Sequence, residues 1–119
     1  KSYDFPIMTN FNSDSSMYPS GKIVRSVKAK QCISLLSNIQ NIYNKLYNNL
    51  SELNISSNNE IELILTDHPT HIYLGNNNII SRINVLKQFE KKLSPQKMSD
   101  FSYLDMRYKN QIVAKLRIL

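Results

Sequence analysis

The chain has 119 residues, 41% of them hydrophobic and 20% charged, which suits one domain able to bury roughly two-thirds of its unfolded surface. Cys32 is its single cysteine, so no disulfide framework is possible within the chain, and no apolar run approaches the about 18 residues that a membrane-spanning helix needs. Net charge is +6: residues 1–78 carry six charges of each sign, whereas residues 79–119 carry nine basic and three acidic side chains.

The opening KSYDFPIM lacks the charged, apolar, small-residue order of a signal peptide and reads more like a cut into a strand than a natural start. Tyr3 to Met8 is β-prone, and Pro6 inside it argues for an edge strand or a strand end. Asn10 to Gly21 is turn-rich and reads as a surface loop. From about Arg25 the period changes. Cys32, Leu35, Leu36, Ile39, Ile42, Tyr43, Leu46 and Leu50 recur at three and four residues, which predicts one long amphipathic helix with Lys28, Lys30, Asn41, Asn44 and Lys45 on its polar face.

Leu50 to Ile55 alternates and reads as a strand. Ser56 to Asn59 is a turn, and Glu60 to Leu65 is a half-buried strand with Ile61, Leu63 and Leu65 on one face. Thr66 to Thr70 turns it back into a strand from His71 to Leu74, closed by Gly75. Asn78 is placed to cap a second helix whose stripe is Ile80, Ile83, Leu86, Phe89 and Leu93, and Pro95 ends it. The order predicts an α+β domain: a mainly antiparallel sheet with two helices packed on one face.

The chain closes on FSYLDMRY, a Lys109-Asn110-Gln111 turn and IVAKLRIL, which reads as a terminal hairpin. Leu104, Met106 and Tyr108 share one face, as do Ile112, Ala114, Leu116 and Ile118, and both faces are expected to point into the core. Tyr103, Asp105, Arg107, Val113, Lys115 and Arg117 fall on the opposite, wet face. There an exposed Asp105–Arg107 pair contributes only ~0.2 to 1 kcal/mol. The last strand has no successor to pair with, so it is either an ordinary hairpin edge or a docking edge for a partner's strand.

Catalytic patterns are missing. There is no GxSxG, and Cys32 sits inside a helix pattern with neither histidine close in sequence. Asp67, His68 and His71 straddle a Pro-containing turn without a fourth ligand, so a solvated turn is favoured over zinc. Gly75 before a helix start reads as a simple strand-to-helix turn and not as an anion site. No RNP-like box, helix-turn-helix signature or finger spacing accompanies the basic segment.

YLDMRY followed after two residues by a β-run resembles the (I/V)DLRY strand of the bacterial cell-division family FtsQ, called DivIB in Gram-positive bacteria. FPIM resembles that family's LP strand, ELILTDHPTHIYLG its central hairpin, and both helices fall in the family's order, so the likeness spans nearly the whole chain. The resemblance implies that residues 1–119 are the C-terminal β-domain of a single-pass membrane protein, on the periplasmic or extracellular face of the cell membrane. Its transmembrane helix and POTRA module would precede Lys1. It also implies a divisome scaffold with no catalytic role, no cofactor and no metal. Such a scaffold binds FtsB and FtsL, or DivIC and FtsL, with the FtsB strand adding to the last strand of the domain.

Carried over by position, the contact residues would be Arg107, Tyr108, Asn110, Val113, Lys115 and Leu116. The chain departs from the family pattern at three places. Asn110 stands in the turn where many relatives have a glycine, so it is expected to take a positive φ. Leu116 replaces an anchoring aromatic of some relatives, and Asn58 or Asn59 matches a basic position. A second reading is a basic module that binds nucleic acid or an anionic cell-envelope polymer through residues 79–119.

Overall fold

In a computed structural model, which describes residues 7–9, 22–66 and 68–118, six strands form one sheet whose spatial order follows the chain. They are β1 (Ile7–Thr9), β2 (Leu50–Ile55), β3 (Ile61–Leu65), β4 (His71–Gly75), β5 (Phe101–Asp105) and β6 (Val113–Leu116). Helix α1 (Lys22–Ile42) and a short α2 (Asn44–Asn48) lie between β1 and β2, and α3 (Ile79–Leu93) with a 3-10 turn (Met98–Asp100) lies between β4 and β5. The expected strand over Tyr3–Met8 is described only from Ile7, and the Asn10–Gly21 loop falls outside the described residues.

Short turns join β2–β3, β3–β4 and β5–β6, and these pairs are antiparallel. The two connections that carry helices join parallel neighbours, β1–β2 and β4–β5, because a parallel pair needs a crossover long enough to return to the same end. Both crossovers start from strands of one polarity and step in one direction across the sheet. A right-handed connection in each, the usual hand, would put the helices on the same side. Helix-to-helix bonds fit that placement: Lys87 Nζ donates to the Ile42 carbonyl at 2.8 Å and Lys45 pairs with Glu90 at 3.0 Å.

Alternation separates the two faces of the sheet. Leu53, Ile55, Leu63, Leu65, Ile72, Leu74 and Leu104 are buried and meet Cys32, Leu35, Leu36, Ile39, Ile83 and Leu86 from the helices in one core. The opposite face is half-open and polar. On it Asn54 donates to Glu62, Glu62 pairs with His71, and His71 stacks on Tyr73.

Two local expectations change. The single long helix breaks at Tyr43, whose φ of −145° and ψ of 69° are not helical. Periodicity could not reveal the break, because Leu46 and Leu50 keep the spacing while changing element: Leu46 is buried on α2 and Leu50 opens β2. The break is held by burial of the Tyr43 ring, by its hydroxyl donating to Glu90, and by Lys87 on the Ile42 carbonyl. Burial and the Glu90 carboxylate push the Tyr43 phenol well above its ordinary range. Asn78 occupies the N-cap position but adopts φ 53° and ψ 36° with no side-chain cap, so it contributes a left-handed turn that asparagine tolerates. The α3 stripe begins at the half-buried Ile79, whereas Ile80 is exposed.

Leu63 is fully buried on a central strand, while Leu116 on β6 is 53% exposed. Leu63→Ala is expected to cost about 2–5 kcal/mol in urea unfolding, and Leu116→Ala to stay within about 0.5 kcal/mol.

Candidate functional site

The chain leaves β5, turns through residues 106–112 and returns as β6. Asn110 carries the positive φ expected of it, 60°. Tyr103 pairs with Lys115, Leu104 with Ala114 and Asp105 with Val113. All four residues of β6 are exposed.

This corrects the expectation that both hairpin faces enter the core. Leu104 and Met106 are buried, but Tyr108 is 49%, Leu116 53% and Ile118 85% exposed, and Ala114 is exposed too. The physical reason is the width of the helix layer. Phe89 of α3 packs on Phe101 of β5 with ring centroids 6.1 Å apart, and among the described residues no helix covers the strand beyond it. Between α3 and the β5–β6 turn lies a groove of about 920 Å³, with Val85, Phe89, Met106, Tyr108 and Ile112 among its lining residues. Sequence alternation grouped the residues of β6 correctly by face. It held no information on whether a helix reached them.

The backbone of β6 has a definite polarity. Arg117 N donates to Asp100 O at 2.8 Å, and Lys115 O accepts from Ser102 Oγ at 3.3 Å, so the odd-numbered peptide groups of β6 point toward β5. On β5, Met106 N donates to Tyr73 O at 2.9 Å, so its even-numbered groups point toward β4, as the register requires. It follows that the N–H and C=O of Ala114 and Leu116 face outward along the sheet edge. Their side chains lie on the helix side of the sheet, and those of Val113 and Lys115 on its open side.

Arg107 and Asp105 are more than a solvated pair. Asp105 is only 5% exposed and accepts from Arg107 N at 3.0 Å, Nε at 2.8 Å and Nη2 at 2.7 Å. Hydrogen bonds from the Arg107 side chain hold the Asp105 carboxyl below the usual aspartate range, against the opposing effect of burial. The guanidinium also lies 3.7 Å from Glu60 and 5.2 Å from the Tyr73 ring centroid. Arg107 is thereby held across the open face while remaining exposed, and Tyr108, Asn110, Val113, Lys115 and Leu116 are exposed along the turn and β6.

Elsewhere the chemistry is structural. Cys32 is buried and its thiol is pushed up by desolvation. His68 is exposed, His71 faces Glu62, Asp67 lies outside the described residues, and no group of three metal-ligating side chains occurs among the described residues. Gly75 has φ +79°, and a Cβ there would meet Arg82 at 2.6 Å and Arg107 at 3.2 Å. Those two side chains occupy the space above the glycine. Asn59, in the β2–β3 turn, also has a positive φ of 62°.

A family model described as FtsQ/DivIB, C-terminal related matches residues 1–115. No match is found among curated protein sequences.

The Asp105–Arg107 contact sets a pH dependence. A carboxyl whose folded pKa is depressed stabilises the fold above its unfolded value of about 3.9, and that contribution is lost as pH falls through the lower folded value. Asp105→Asn is expected to cost about 1 kcal/mol at pH 7, below the ~1.5–3 kcal/mol of charged hydrogen bonds because Arg107 is partly in water. Urea midpoints measured from pH 7 to 2.5 should show the gap between the variant and the unchanged protein closing below about pH 4.

Proposed function

The chain belongs to the FtsQ/DivIB C-terminal related family, which gives it a role in bacterial cell division, and from that premise we propose that it is a non-catalytic divisome scaffold domain that docks an FtsB- or DivIC-like partner by strand addition to β6. The observation that carries this reading is the edge itself: β6 is exposed at every residue, and the peptide groups of Ala114 and Leu116 point away from the sheet. An exposed edge, even one of four residues, presents backbone groups to another strand, and sheet proteins ordinarily blunt or cover it. Here the added strand would take up two free donors and two free acceptors, with flanking side chains supplying choice.

The two sides of the edge differ in what they offer. On the helix side are Ala114, Leu116 and the groove bearing Tyr108 and Ile112. On the open side are Val113 and Lys115. A partner strand with apolar residues on alternate positions would cover Leu116 at about 1 kcal/mol for its exposed half. Arg107 contributes from the open face, and Asn110 sets the turn that presents Tyr108. FtsL would enter through the same divisome assembly. The domain would stand on the periplasmic or extracellular side of the membrane.

The basic-module reading has less support. Of the nine basic side chains in residues 79–119, Arg82 donates to Leu74 O, Lys87 to Ile42 O, Arg107 to Asp105 and Arg117 to a set of carbonyls. Four of the nine cations are thus already engaged by oxygen atoms of the fold itself, which weakens their pull on a polyanion.

Backbone polarity chooses the test. Ala114→Pro or Leu116→Pro removes an outward donor, whereas Val113→Pro removes a bond of the domain's own sheet. Calorimetry with the extracytoplasmic segment of the FtsB-like partner should show at least tenfold weaker binding for Ala114→Pro with the fold intact. Unchanged affinity in that folded variant would reject strand addition at β6. The rival reading instead requires a steep loss of affinity with salt and indifference to proline.

A further inference from the structure

Strand β6 poses a problem of its own. It buries none of its four side chains, and a segment held only by solvent-exposed ladder bonds belongs among the parts of a protein that open first. Arg117 lies just beyond it. Its backbone N–H donates to Asp100 O at 2.8 Å. Its Nε donates to Ser99 O at 3.3 Å, and its Nη2 lies 2.9 Å from Phe101 O and 3.1 Å from Thr70 Oγ1, with Pro69 O at 3.4 Å.

These acceptors come from three separate places: the 3-10 turn, the start of β5 and the turn before β4. Thr70 is fully buried, and its hydroxyl donates to Phe101 O at 2.8 Å while accepting from Arg117. Among the described residues the hydrogen-bond acceptors around Arg117 are neutral oxygens, so these bonds depend on the reach and planarity of the fork. A lysine presents its donors from a single point, without the planar fork that meets Ser99 O through Nε and Thr70 Oγ1 through Nη2.

We propose that Arg117 is the positioning residue of the docking edge: its guanidinium clasps the far end of β6 and holds the outward peptide groups in register for an incoming strand. The inference rests on the edge-docking reading above. Its mechanism is pre-organisation. Ordering four backbone residues costs conformational entropy, and a clasp that holds them in the free domain removes that cost from binding. When only a fraction of molecules has β6 in place, the observed Kd rises by the reciprocal of that fraction.

The test uses Arg117→Met, which keeps an apolar stem, and Arg117→Lys, which keeps the charge. Amide exchange is read in the free domain by NMR at Val113 and Lys115, whose N–H groups point into the sheet, and at Leu63 and Ile72 as internal references. Arg117→Met is expected to speed exchange at Val113 and Lys115 at least tenfold and leave the references unchanged. Affinity for the FtsB-like segment should fall by a matching factor once β6 is undocked for most of the time. Arg117→Lys should loosen β6 as well, since charge without the fork does not clasp.

Equal acceleration at all four amides would show a role in general stability and overturn the proposal. So would full retention of β6 protection in Arg117→Lys, or unchanged partner affinity in a variant whose exchange shows β6 undocked for most of the time. If the unchanged protein fails to bind the segment, the edge-docking reading fails and the positioning role falls with it. The exchange arm would still separate a clasp on β6 from a general stabiliser.

Discussion

The helix layer is narrower than the sheet, and the rest of the structure follows from that mismatch. Two crossovers supply the helices, and their apolar side chains close over β2 to β5. Phe89 on Phe101 marks the limit of the cover. The chain then adds one more antiparallel strand, reached by a turn too short to carry a helix. Strand β6 therefore receives backbone bonds from β5 and almost nothing from the core. Its apolar residues remain in water, and its stability is decided at its two ends. At one end Asn110 adopts the left-handed conformation that closes the turn, and at the other Arg117 reaches back to the 3-10 turn and Thr70.

Charge is organised by the same geometry. The formal excess in the last third of the chain suggests a surface for polyanions, but much of it faces inward to oxygen atoms that need donors. Arg82 lies over Gly75 and donates to the carbonyl of Leu74. Lys87 satisfies the carbonyl freed where α1 breaks. Arg107 neutralises the nearly buried Asp105 and lies over Tyr73. Lys115 stays exposed on the edge strand, where a cation discourages indiscriminate pairing while leaving the outward backbone free.

The strands and their order were legible because alternation is a local property of the chain. Leu63 and Leu65, and Leu104 with Met106, lie on the face that their spacing assigned. The family was legible from the YLDMRY segment and the elements around it, and residues 1–115 match its model. What escaped was whatever depended on a second element. Helical spacing continued through Tyr43 because a break that turns toward β2 kept Leu46 apolar. Asp105 read as half of an exposed pair with Arg107; the pair forms, but spacing on one strand is silent on the burial of the carboxylate beneath the guanidinium. Ala114, Leu116 and Ile118 read as core because spacing shows which residues share a face and is silent on what covers that face. Arg117 read as one more basic residue, since its acceptors lie between 16 and 48 positions away.

The account turns on which peptide groups an incoming strand would take. Amide hydrogen exchange, resolved by residue and followed as the FtsB-like segment is titrated in, addresses this directly. Strand addition predicts new protection at Ala114 and Leu116, whose N–H groups face outward, with little change at Val113 and Lys115, which are already bonded to β5. Saturated binding with Ala114 and Leu116 still exchanging as in the free domain would contradict it.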